Sequence, residues 1–319
     1  MKPLVITHKN CIDGCCAKNI FFTKFLNEAD YLELDHYNLD PTKDLEADKY
    51  LAKILNKKNT TVYMADFCLE TTLIESLLQN NNKVVVLDHH ETAIKYIEPF
   101  EERISNGEKL NIHINFSKDN TKSGSMLSWE YLHPNIEPPI SIKHVSAGDI
   151  WKFEFGEDTK FFYTGLMEKF GEPQNISSEQ WLKLISIPDY HKKYISIGQP
   201  IREKYMQEVM SYVDKAEKVS ILGKPGLMVE APKKYTSDLG NVLAQQQNGE
   251  GFGLVYYEDP ENGIVRCSLR SIAPFTVNDV ASHFNGGGHA QASAFRCSNK
   301  ADFLNIIQEQ SISKKPKLF

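Results

Sequence analysis

The sequence has no run approaching ~18 consecutive apolar residues, so no membrane-spanning helix is expected. Its opening residues, Met1 to Ile6, lack the apolar stretch of a secretory signal. It also lacks a positive balance. A formal charge of −6 argues against long duplex nucleic acid as a partner, which usually requires a net basic face. A local basic groove for a short anionic substrate stays compatible with that charge. The six cysteines are scattered and partly adjacent, unlike a secreted disulfide framework. Cys11, Cys15 and Cys16 have no second Cys/His pair at finger-like spacing, so Cys15 and Cys16 are read as core thiols. No G-x-S-x-G nucleophile motif, Walker-type phosphate loop or dinucleotide-binding G-x-G-x-x-G is present. These absences predict a cytoplasmic chain with reduced thiols and no serine-nucleophile chemistry.

What is present is enough for two domains of ordinary size: 319 residues, 41% of them apolar. The first half alternates strand and helix. Leu4 to Thr7, Tyr31 to His36, Thr61 to Met64, Lys83 to Leu87 and Asn111 to Phe116 read as strands. Gly14 to Leu26, Leu45 to Leu55, Glu70 to Gln79 and Ser123 to Leu132 read as helices. Continuous β-branched runs between helices predict a doubly wound, mainly parallel sheet covered on both faces. A helical connector is expected from Ile201 to Lys218. Beyond it, Val219 to Leu222, Leu227 to Glu230, Phe252 to Tyr257 and Val265 to Leu269 read as strands, with a hairpin turn at Glu261-Asn262-Gly263. The predicted architecture is α/β throughout: a catalytic domain over 1–195, a connector over 196–218, and a smaller mixed-sheet domain over 219–319. The basic tail Lys314 to Lys317 reads as solvated chain.

In an open parallel sheet, ligands sit beyond the carboxyl ends of the strands. Three predicted strands end in polar residues there: His8 to Asp13 after the first, Asp66 after the third, and Asp88-His89-His90 after the next. One aspartate after a strand is ordinary turn chemistry. Three strand ends bearing Asp or His along one edge would gather like charges at a cost that divalent cations relieve, and mixed O/N donors suit Mn²⁺. In an extended segment neighbours point oppositely, so only one of His89 and His90 need face a metal.

His8 to Gly14, Tyr63 to Asp66 and Val86-Leu87-Asp88-His89-His90 resemble the first three motifs of the DHH phosphoesterase superfamily. Ser146-Ala147-Gly148-Asp149-Ile150-Trp151 resembles the fourth motif. Ser268-Leu269-Arg270-Ser271 with Gly286-Gly287-Gly288-His289 resembles the phosphate-binding signature of the DHH-associated C-terminal domain. The motifs keep the family's order and span almost the whole chain. The resemblance implies a two-metal site in which Asp66 bridges the ions, His8 binds the first, and Asp13, His89 and Asp149 bind the second. It makes Asp88 a carboxylate that orients a histidine, and turns His90 toward the substrate phosphate. Cys11 occupies a position where many members carry an aspartate. A thiolate there would alter the selectivity of the first metal position, and the other reading gives that place to water or Asn10.

Two cations about 3.5–4 Å apart can lower the pKa of a shared water and neutralise charge on the phosphoryl oxygens. Triple glycine, read as an ordered turn between elements, lets backbone N–H groups approach a phosphate, with His289 as a further donor, while Arg270 grips phosphate oxygens beside Ser268. The expected function is hydrolysis of a phosphoester in a small nucleotide or short oligonucleotide, with Mn²⁺ as cofactor and a homodimer left open. Two rivals are phosphoanhydride cleavage of pyrophosphate or polyphosphate, and a non-catalytic nucleotide sensor with a degraded metal site. Elsewhere the bland readings are preferred. His113 is an edge or packed histidine, Lys143 and His144 a solvated helix face, Ser123 and Ser125 capping residues, and Trp129, Trp151 and Trp181 core.

Overall fold

In the computed structural model, residues 1–35 and 47–312 are described. The chain divides into two compact units, Met1–Arg202 and Glu203–Phe319. In chain order the first unit comprises β1 (Leu4–His8), α1 (Ile12–Phe25), β2 (Asp30–Leu34), α2 (Ala47–Leu55), β3 (Thr61–Ala65), α3 (Thr71–Gln79), β4 (Lys83–Asp88), α4 (Ile94–Ser105), β5 (Ile112–Phe116), α5 (Gly124–Leu132), α6 (Ile140–Asp149), α7 (Glu157–Phe170) and α8 (Ser178–Ser186). Helix α9 (Lys192–Val213) contains the division. The second unit continues with β6 (Glu217–Ile221), β7 (Lys224–Glu230), α10 (Thr236–Gln245), β8 (Phe252–Asp259), β9 (Ile264–Ser271), α11 (Asn278–His283), β10 (Gly287–His289), β11 (Ala292–Cys297) and α12 (Lys300–Ile312).

The first sheet has the order β2-β1-β3-β4-β5 and is parallel throughout. Its strands are apolar on both faces because helices cover both. Val5, Ala65, Val85 and Leu87 face one core with Ile20, Phe21 and Trp181. Leu4, Ile6, Met64, Val84 and Val86 face the other with Ile54, Ile74 and Phe100. The alternation of odd and even positions between the two cores is the two-residue period of a strand. Cys15 and Cys16 are buried in the first core, as expected of core thiols. The order reverses between β1 and β3, so the carboxyl ends of these strands flank a topological switch point, where open α/β sheets place ligands.

The second sheet, β10-β11-β9-β8-β7-β6, is mixed: β7 and β8 run parallel, and every other neighbouring pair is antiparallel. The turn at Glu261-Asn262-Gly263 joins β8 to β9, with the Gly263 N–H donating to Asp259 O at 2.9 Å. Three helices, α10 to α12, accompany this sheet.

Several expectations shift. His36 and the first two residues of the expected helix 45–55 lie outside the described residues, as does the tail 314–317. The triple glycine is not a turn between elements: Gly287–His289 is an edge strand paired with Ala292–Ala294. Trp129 and Trp181 are buried, but Trp151 is 62% exposed and left-handed at φ 56, just past the end of α6. His144 is buried, with Nδ1 3.0 Å from Thr159 Oγ1, because α7 covers the helix face that the sequence left to solvent. His113 is an exposed residue on the edge strand β5.

Candidate metal centre

Asp66 follows β3 in a left-handed conformation, φ 57, which aspartate tolerates better than most residues. The start of α5 presses directly against it. A Cβ on Gly124 would stand 2.4 Å from Asp66 Cα, so only glycine permits this approach. Gly14 plays the same part for α1: a Cβ there would lie 2.2 Å from His8 O. The two glycines bring two helix starts against the ends of β1 and β3.

The N-terminal turn of α5 holds Asp13. Ser123 Oγ and Ser125 Oγ donate to its Oδ1 at 2.6 and 2.5 Å, and the Ser125 N–H donates to Oδ2 at 3.0 Å. Ser123 also caps α5, so capping and carboxylate binding are the work of one turn. Helix N-terminal N–H groups favour a negative charge here.

Asp66 turns its two oxygens to different neighbours. His8 Nδ1 lies 3.8 Å from Oδ2, and the Cys11 thiol donates to the same oxygen at 3.5 Å. His89 Nε2 lies 3.3 Å from Oδ1 and 3.1 Å from Asp149 Oδ2. Asp13, Asp66, His89 and Asp149 offer ligand atoms all within 4.8 Å of one another, as do His8, Cys11 and Asp66. All six residues proposed from the sequence as metal ligands, Cys11 among them, are thus gathered at one sheet edge. Asp88 is different. Its Oδ1 accepts from His90 Nδ1 at 2.7 Å and from the His89 N–H at 2.8 Å, so it fixes the His90 ring.

The electrostatics of this cluster are those of an unbalanced anionic pocket. Burial and the adjacent Asp13 carboxylate push Asp66 well above the usual carboxylate range. Burial and Asp149 raise Asp13, against the pull of its serine hydrogen bonds. Burial opposes a charged His89, yet the carboxylates of Asp149 and Asp66 push its pKa to about 12. Asp66 Oδ1, His89 Nε2 and Asp149 Oδ2 are buried atoms without a hydrogen-bond partner. Buried polar atoms are nearly always satisfied, and three that converge mark a place for a bound ion. The donor set, carboxylates with imidazole, fits a divalent cation.

One positioning residue escaped the sequence reading. Asn120 Oδ1 sits 2.8 Å from His89 Nδ1. A proton on Nδ1 donated to this amide leaves the Nε2 lone pair facing the cluster, the tautomer a metal ligand needs. An asparagine in a β5–α5 loop carries no motif, so only the fold reveals it.

In the second unit, Arg270 donates to Ser268 Oγ at 3.0 Å and to Ser237 Oγ at 3.1 Å. Ser268 and Gly286 line a cavity of about 380 Å³ together with Lys233, Tyr257, Arg266 and Arg296. The last four also escaped notice in the sequence, where scattered surface cations and a tyrosine carry no spacing. His289 and Gly287 are exposed on the edge strand.

Residues 224–311 match the DHHA1 domain family. The DHH domain of a member of a ribosomal-protein family is similar in structure, with a TM-score of 0.60 at 15% identity over 98% of this chain and 86% of that one. So is PggH, a pGpG-specific phosphodiesterase from Vibrio cholerae, with a TM-score of 0.56 at 12% identity over 98% and 99%. An uncharacterized protein of Acanthamoeba polyphaga mimivirus is 28% identical over 310 residues, 92% of this chain and 67% of that one. The match to the DHHA1 domain family lies within the second unit, and the fold of the chain is that of these DHH-type structures.

Proposed function

We propose that this chain is a metal-dependent phosphoesterase that hydrolyses a small nucleotide or short oligonucleotide, with Mn²⁺ as its ion. The observation that carries the reading is Asp66, a buried carboxylate with one oxygen facing His8 and Cys11 and the other facing His89. In this reading Asp66 would be shared between two ions, His8 would help hold the first, and Asp13, His89 and Asp149 would hold the second. When bound, two cations supply a water of lowered pKa and positive charge for the phosphoryl oxygens.

The protein's own groups do the rest. Asn120 holds His89 in the ligating tautomer, and Asp88 holds His90 by Nδ1, which keeps the His90 ring at the substrate face of the cluster. Ser123 and Ser125 align Asp13 and oppose the rise in its pKa that burial causes. Arg270, Ser268, Gly286 and the Gly287–His289 strand hold substrate phosphates. The structural likeness to a pGpG phosphodiesterase supports a nucleotide substrate over pyrophosphate. The aromatic Tyr257 beside the cations of the second-unit cavity supports it too, since pyrophosphate offers no base or sugar to contact.

A release assay across dinucleotides, a nucleoside 3′,5′-bisphosphate and pyrophosphate, run with Mn²⁺, Mg²⁺ and chelator, tests this reading. Turnover of a nucleotide that needs Mn²⁺ and stops with chelator is expected. Metal-independent turnover, or turnover of pyrophosphate alone, contradicts it.

A further inference from the structure

The donors around the two oxygens of Asp66 differ in chemistry. On the Oδ2 side stand an imidazole and a thiol, His8 and Cys11. On the Oδ1 side the group is Asp13, Asp66, His89 and Asp149, three carboxylates and one imidazole. We propose that Cys11 is a thiolate ligand, so that His8, Cys11 and Asp66 select a borderline-soft divalent ion while the opposite position takes a harder one. The proposal rests on the metal-site reading above and adds to it a ligand and a selectivity.

The separation is the first support. With metal–sulfur and metal–oxygen bonds of about 2.3 and 2.1 Å, two ligands at a tetrahedral angle place S and O about 3.6 Å apart. Cys11 Sγ lies 3.5 Å from Asp66 Oδ2. The His8 Nδ1 to Asp66 Oδ2 distance, 3.8 Å, is also within the span of two ligands on one ion.

The second support is orientation. Cys11 is the N-cap of α1, and its sulfur accepts the Gly14 N–H at 3.4 Å. That bond fixes the side chain toward Asp66. The third is the partner. Asp66 is 1% exposed, and its Oδ1 faces His89 without a hydrogen bond, so both oxygens of the buried carboxylate are directed into the cluster. Among the described residues no other group with ligand spacing contains a cysteine, and the remaining five are buried. Ligation breaks the S–H bond, releases the proton to solvent and forms the metal–sulfur bond from the sulfur electron pair, with no change of oxidation state. Thiolate favours Zn²⁺ or Co²⁺ over Mg²⁺, whereas an all-carboxylate and imidazole set discriminates less.

Cobalt titration of the metal-free full chain gives a readout that does not depend on turnover. A sulfur-to-Co²⁺ charge-transfer band in the near ultraviolet is expected, saturating at one equivalent per chain. It should vanish in Cys11→Ser and Cys11→Asp, while the visible Co²⁺ bands and the far-ultraviolet circular dichroism persist. Visible bands without charge transfer in the native chain overturn the thiolate proposal and leave the metal site standing. A band that survives Cys11→Ser overturns it as well. No Co²⁺ bands of any kind would sink the metal-site reading and this one with it.

Discussion

His89 Nε2 and Asp66 Oδ1 face each other at 3.3 Å inside the protein as an ion pair that lacks the geometry of a hydrogen bond. A folded chain leaves such atoms bare when something else is to be bound, because each unsatisfied buried group costs about 1–3 kcal/mol. Asp66→Asn should therefore separate function from stability. Asparagine suits the left-handed backbone at this position, and it removes a buried charge that repels Asp13 and Asp149. The metal-free variant should melt at or above the native temperature, yet gain nothing from Mn²⁺ and lose turnover. Thermal melts with and without Mn²⁺, beside a turnover assay, check this.

Asn120 acts only through His89. Asn120→Gly keeps the backbone, which has φ 50, and removes the amide acceptor. Metal affinity should fall about 10–100-fold, as for other groups that orient a ligand. Asn120→Asp, which retains an acceptor, should restore it. Calorimetric titration with Mn²⁺ compares the three proteins.

Gly286, just before the edge strand, and Gly287, its first residue, divide by geometry. A Cβ on Gly286 would lie 2.1 Å from Ala294 O, so Gly286→Ala should lower the melting temperature. Gly287 has nothing within 4 Å of such an atom, so Gly287→Ala should fold normally. If backbone N–H groups there approach a phosphate, Gly287→Ala raises KM with kcat little changed.

Arg270→Lys keeps the charge and loses the planar fork. KM should rise about tenfold, roughly one charge-assisted hydrogen bond, with metal content unchanged. Steady-state kinetics beside elemental analysis read both quantities.

His144 sets an acid limit on stability. Burial and neighbouring His191 hold its pKa down to about 4, while Asp158 pulls weakly the other way. The folded state keeps this ring neutral, and the unfolded chain protonates near 6.5. Its contribution is complete above about pH 6.5 and is lost as pH falls toward 4. Urea midpoints between those values should fall less steeply for His144→Gln than for the native chain.

How far the sequence could be read follows from these residues. Val84, Val85, Val86 and Leu87 announce a strand buried on both faces, and the Asp-His-His that follows must then lie at its carboxyl end. Buried parallel strands have little freedom in register, so His8, Asp13, Asp66 and His89 could be placed along one edge in advance, whereas Asp149, at the end of α6, was reached only through the family resemblance. Asn120, Gly124 and Ser125 were not, because their work depends on where α5 meets β3, and no local pattern encodes that contact. Trp151 misled for the same reason: its chain direction turns on one left-handed residue. His144 misled because α7 covers it, a tertiary fact that helical periodicity alone does not reveal.

Anomalous diffraction from crystals grown with Mn²⁺ tests the central claim most directly. Two peaks about 3.5–4 Å apart, one on each side of the Asp66 carboxylate, are the predicted result. Peaks only at other surface carboxylates, with none beside Asp66, would contradict it.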